Sequence, residues 1–187
     1  MIITGSFLEA GFDFKDIDVL LITDKKMENG NINSHFEGKF GISIHTIPIS
    51  FKSILKGLAT DPLFQMMLSK FVSKERVIFK IKNEVNYKLL DLHLLKSKSL
   101  IGNFDFLPGK EKYKLTRNLI AIGLFIENKK ISMETINNKI ESYFGKGIIK
   151  NIKENLLDKD FLNKYKKLYN EIFKMLLDGI KNGSKQE

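Results

Sequence analysis

Two stretches in the first fifty residues carry apolar side chains in runs of strand length. Val19–Thr23 (VLLIT) is led in by Asp16-Ile17-Asp18, and Ile42–Ile49 reads ISIHTIPI. Both are rich in β-branched residues and too short for a stable helix, so both predict strands. Pro48 cannot donate to a ladder, which places the second strand's proline at a strand end or on a sheet edge. Met1–Thr4 is a shorter apolar run that stops at Gly5-Ser6, a turn signal. Phe7–Ala10 fits a turn or two of helix, Asp24–Asn31 a polar loop, and Ile32–Phe40 a short helix stopped by Gly41. Val77–Ile81 predicts a last edge strand.

From Ser50 onward the spacing changes from two to three and four. Ser50 precedes Phe51, Ile54, Leu55 and Leu58, a capped amphipathic helix. Asp61-Pro62 is a cap followed by proline at the first helical position, with Leu63, Met67 and Phe71 on one face beyond it. Tyr87–Leu95, Lys112–Asn128, a Ser132-capped segment ending at Gly145 and Gly147, and Lys159–Ile180 complete the helical series. Gly102–Lys110, with Pro108-Gly109, predicts a loop, and Asn182–Glu187 a frayed tail. The order predicts an α+β chain: a small mixed-sheet domain over residues 1–85 and an antiparallel helical bundle over 86–187.

Composition narrows this picture. The 187 residues are 43% hydrophobic, with 15 Phe and no Trp, so phenylalanine is the expected core aromatic. No cysteine is present, which excludes a cysteine nucleophile and thiolate-held zinc or iron–sulfur clusters. The longest apolar segment of the second half, Leu119–Ile126, is far short of a membrane span, and the start of the chain lacks a signal-peptide pattern. No membrane partner and a cytoplasmic location are expected.

The net charge of +9 is unevenly placed: residues 87–187 hold 20 basic and 12 acidic side chains. Lys146, Lys150, Lys153, Lys164, Lys166 and Lys167 form a basic band among asparagines. Such a field suits a nucleic acid or nucleotide. A lysine-, isoleucine- and asparagine-rich coding bias with a solvated helix face explains the same residues, and both readings stand at this level. Only Arg76 and Arg117 are arginines. Arg117, on the long helix with Tyr113 and Lys114, is either a planar bidentate donor to a nucleotide or a surface ion-pair residue.

The chemistry concentrates in Ile3–Ile22, ITGSFLEAGFDFKDIDVLLI. Residues two apart on a strand share a face, so Asp16 and Asp18 present two carboxylates together. Like charges that close favour a bound cation, and Mg²⁺ prefers carboxylate and phosphate oxygens. Gly5-Ser6 offers backbone N–H groups and a hydroxyl to a phosphate.

A Gly-Ser turn followed by Asp-x-Asp opening a strand resembles the DNA polymerase beta-like nucleotidyltransferase superfamily, in its minimal type. The likeness covers about the first 50 residues. It implies that the 1–85 domain is nucleotidyltransferase-like, that Gly5 and Ser6 bind the phosphates of an NTP, and that Asp16 and Asp18 hold catalytic Mg²⁺. The implied reaction moves a nucleoside monophosphate from the NTP to a hydroxyl of RNA, protein or a small molecule. Two departures are visible. The chain begins at the motif strand, and the strand after Asp-x-Asp carries Ser43 and His45 where active members have a third carboxylate. His45 is then the candidate base, or a histidine that only hydrogen-bonds locally. The helical half lacks the Arg-x(4–6)-His signature of the RNase-type partner domains found beside minimal nucleotidyltransferases. An inactive nucleotide- or RNA-binding module, or a partner protein of the same fold, is the alternative.

Overall fold

The computed structural model describes residues 1–8, 16–24, 30–79 and 81–183. Residues 9–10 of the predicted first helical turn, residues 25–29 of the predicted polar loop and the tail beyond Gly183 lie outside the described residues. The chain is mixed α+β, with a four-stranded sheet and eight α-helices among the described residues. It forms two compact units: Met1–Ala59 with Phe64–Lys82, and Thr60–Leu63 with Asn83–Glu187.

The first unit is built on strands β1 (Ile2–Thr4), β2 (Asp16–Ile22), β3 (Ser43–Ile49) and β4 (Val72–Ser73), in the order β3-β2-β1-β4. β1 is antiparallel to both its neighbours, whereas β2 and β3 are parallel and joined through α1 (Gly30–Phe40). β3 is an edge strand, where the ring nitrogen of Pro48 costs no ladder bond. Ile2, Leu20, Ile47, Ile49 and Ile22 belong to one core with Ile54 and Leu58 of α2 (Phe51–Thr60). Their shared parity continues along the strands to Asp18, Asp16, His45 and Ser43. The core face therefore becomes polar at one end of the sheet. α1 reaches the sheet through Thr46, whose hydroxyl donates to Asn33 Oδ1 at 3.0 Å.

Among the described residues of the predicted Val77–Ile81 strand no strand forms; the edge strand is Val72–Ser73. α3 (Pro62–Met67) precedes it. Thr4, fully buried, points its hydroxyl at the carbonyls of Met67 (2.6 Å) and Lys70 (3.1 Å). Beyond α3, Phe71 packs against the core and Val72 pairs with Ile3. Phe79 packs on the same core from irregular backbone, beside Phe51 and Phe71.

The second unit contains α4 (Tyr87–Gly102), α5 (Gly109–Ile126), α6 (Met133–Phe144), α7 (Ile148–Lys153) and α8 (Lys159–Gly183). Caps set the starts: Asn86 Oδ1 accepts from Leu89 N, and Ser132 Oγ from Thr135 N. The apolar run of residues 119–126 makes α5 the central helix, with Leu119, Ala121 and Ile122 wholly buried. Tyr165 of α8 is also wholly buried and donates its hydroxyl to Ser97 O of α4 at 2.9 Å. Phenylalanine does not dominate the core aromatics as the composition suggests. Tyr113, Tyr165 and Tyr169 are buried beside Phe125, Phe144 and Phe161, whereas Phe7, Phe36, Phe40, Phe51 and Phe106 are exposed. α7 follows Gly145 and Gly147, which both take positive φ. Gly109 is needed at the start of α5, because a Cβ there would meet the carbonyls of Ile152 and Lys153 at the end of α7. Within this unit Asp61 Oδ1 caps Leu63 N (2.8 Å) and faces His93 Nε2 (3.1 Å), while the buried His93 Nδ1 has no partner.

Candidate functional site

The polar end of the sheet gathers residues far apart in sequence. Thr4 is registered opposite Asp18, so Gly5 turns away from the sheet beside that carboxylate. Gly5 has φ +94°, a conformation that side chains disfavour, and a Cβ there would run into Asp18 Oδ2. Both facts require glycine. Ser6 then opens a short 3₁₀ turn, Ser6–Leu8, of which its own side chain is not among the described atoms.

On the other side of β2, Asp18 is registered with His45 and Asp16 with Ser43. His45 Nδ1 lies 3.3 Å from Asp18 Oδ1, a long hydrogen bond in which Nδ1–H donates. His45 is 62% exposed at its side chain and Asp18 34%, so the pair opens to solvent. Asp16, two residues earlier on the same face, is exposed at the strand start. Gly5, Asp18 and His45 are thus in one cluster, with Asp16 one pleat away. Arg117 belongs to α5 in the helical unit and is described with that unit.

Composition and spacing did not single out Lys70. Its ammonium donates to the carbonyl of Leu8, at the end of the Gly5–Leu8 turn. It therefore sets a cation against the Gly5–Leu8 turn. No local motif signals it, because 62 residues separate donor and acceptor.

The donor set suits a hard cation that arrives with its own ligands. Among the described residues no three His, Asp or Glu side chains gather as a metal cage. Asp16 and Asp18 supply the one or two carboxylates with which Mg²⁺ is commonly held when phosphates and waters complete its shell. On that chemistry the residues present fit Mg²⁺ carried by a nucleotide.

No family model, no curated protein and no solved structure matches the chain. Also, among the described residues, no helix is long and apolar enough to cross a membrane.

In the helical unit the basic band is partly neutralised. Lys164 pairs with Asp160 (2.9 Å) and Lys150 approaches Glu154 (3.9 Å). Lys153 stands over the ring of Tyr113, with Nζ 4.7 Å from the centroid. Lys112 is buried, donates to Asn155 Oδ1 (2.8 Å) and lies 4.1 Å from the Phe104 centroid. Burial pushes its pKa below the ordinary lysine value, against the opposing field of Asp105.

Proposed function

We propose that the sheet unit is a Mg²⁺-dependent nucleotidyl-transfer site, moving a nucleoside monophosphate from an NTP to a hydroxyl of RNA, protein or a small molecule. The observation that carries this reading is the fit of the Gly5 turn against the Asp18 carboxylate, with His45 beside it. A triphosphate on the Gly5–Leu8 turn would take backbone N–H groups, the Ser6 hydroxyl and the Lys70 ammonium. Asp16 and Asp18 would hold Mg²⁺, which when bound neutralises charge on the transferring phosphate. His45 stands in register with Asp18, where a third carboxylate is expected for this chemistry. Its Nδ1–H is turned to Asp18, which leaves Nε2 as the ring's proton acceptor for an attacking hydroxyl.

Replacing both Asp16 and Asp18 with Asn should abolish Mg²⁺-dependent NTP binding in calorimetry; unchanged affinity would remove the metal assignment. The second reading, a nucleotide- or RNA-binding module without turnover, is favoured by the lack of a three-acid cluster among the described residues. Transfer assays with labelled NTPs onto the protein itself, tRNA and total RNA separate the two.

A further inference from the structure

Helices α4 and α8 border an open groove that the packing of the helical unit leaves unfilled. The two run antiparallel: Tyr165 bonds Ser97 O, and Tyr87 lies against Gly179. The groove between them has a volume of about 470 Å³, within the range of about 300–1,000 Å³ usual for small-molecule sites. Tyr169 and Phe173, one turn apart on α8, line it with nearly parallel rings, 9° between planes and 6.2 Å between centroids. Tyr169 is only 7% exposed, yet its hydroxyl makes no hydrogen bond among the described residues and is not sealed from the groove. A phenol so deeply buried ordinarily has a partner. Burial, and after it the field of Asp91, raise its pKa, so at neutral pH it is an uncommitted donor.

The charged groups of the groove are unpaired as well. Asp91, Lys98 and Lys166 line it, and none forms an ion pair or side-chain hydrogen bond among the described residues. Their order along the groove is set by the helix pairing. Lys98 and Lys166 directly follow Ser97 and Tyr165, the bonded pair, so both lysines are rooted at one level. Asp91 stands two turns away on α4, about 10 Å along the helix axis. There its field reaches Tyr169. A ligand that uses the whole groove is therefore anionic at one end, flat where it meets the rings, and a hydrogen-bond donor toward Asp91. A phosphate, a nucleobase and the base's amino group supply those three features in that sequence.

We infer that this groove is a nucleotide site, with the phosphate on Lys98 and Lys166 and an amino-bearing base on Tyr169 and Phe173, turned toward Asp91. The nucleotide is either free or one residue of a single strand. The groove belongs wholly to the helical unit and its occupancy requires no metal, so it is tested in EDTA, apart from the reaction proposed for the sheet unit.

The chain has only five tyrosines, so labelling the full protein with 3-fluorotyrosine gives a fluorine spectrum in which Tyr169 is assigned by its loss in Tyr169→Phe. In EDTA at low salt, AMP should shift the Tyr169 resonance saturably. Adenosine should bind about tenfold more weakly, because it lacks the charge that the lysines meet. Lys98→Gln and Lys166→Gln should each weaken AMP about fivefold and leave adenosine unchanged. Asp91→Asn should weaken AMP but not UMP, whose base has no amino group. All three substituted side chains are exposed, so the variants keep the parent fold. An oligoadenylate that shifts Tyr169 at lower concentration than AMP, with salt-dependent affinity, assigns the site to a strand; AMP acting as well as the oligomer assigns it to a free nucleotide. Three results would overturn the site: a Tyr169 resonance that neither probe moves at millimolar concentration, AMP bound no better than adenosine, or lysine variants that bind AMP as the parent does.

Discussion

Gly5→Ala puts the geometry of the sheet's polar end to a quantitative test. Two separate costs are built into the position. At φ +94° an alanine pays backbone strain of about 1–3 kcal/mol, reduced by about 0.4–1 kcal/mol because alanine also stiffens the unfolded chain. The new methyl also meets Asp18 Oδ2, so the carboxylate must turn off its rotamer, at about 0.5–1.5 kcal/mol. Only the second cost depends on Asp18. In an Asp18→Ala background the nearest remaining atom is the residue 18 Cβ at 3.4 Å, an ordinary contact. A double-mutant cycle should therefore show a coupling of about 0.5–1.5 kcal/mol, with Gly5→Ala milder when Asp18 is gone. Hydrogen exchange of β1 and β2 amides is the right reporter, since a global melt would be weighted by the five helices of the other unit. Equal cost in both backgrounds, within about 0.3 kcal/mol, would mean that Asp18 does not lie against Gly5, and the site would lose its central contact.

Two further outcomes follow from other contacts. If His45 serves as the proton acceptor, His45→Ala should lower nucleotidyl transfer by about 10²-fold or more, and His45→Asp should keep or raise it; activity indifferent to both changes removes the role. Tyr165 is held neutral by burial, its pKa raised far above the ordinary value, while in the unfolded chain it ionises near 10. Its contribution is therefore complete below about pH 10 and is lost as pH rises beyond, by up to about 1.4 kcal/mol per pH unit. Tyr165→Phe should cost about 1 kcal/mol at neutral pH through the lost bond to Ser97, and should flatten alkaline destabilisation in urea melts; an unchanged alkaline slope would refute this.

What the sequence made legible was whatever a few neighbouring residues decide. The caps at Ser50, Asp61 and Ser132, the parity of Asp16 with Asp18, and the two longer strands all depend on local spacing. Features chosen by distant partners were not legible. β4 is only two residues long, and its pairing with β1 joins residues far apart in sequence. The short α7 was missed for a similar reason, since six residues carry little periodic signal. At the candidate site the sequence put Ser43 and His45 on one face, but the pairing of His45 with Asp18 is a matter of register between strands joined by a helix. The same limit hid Lys70, whose ordinary lysine side chain gains meaning only from where the fold delivers it.

The pairing of His93 with Asp61 makes the two halves of this chain inseparable by a single cut. Asp61 precedes the last segments of the sheet unit in sequence, yet its carboxylate answers a histidine buried among the helices. A fragment beginning at Asn83 would carry His93 with neither ring nitrogen satisfied, a burial cost of about 1–3 kcal/mol. A fragment ending at Lys82 would keep Asp61 without His93. Any exchange of the helical half between proteins, by recombination or by design, must therefore carry residues 60–63 along. The unit of inheritance is a helical body with a four-residue hostage taken from the middle of its neighbour.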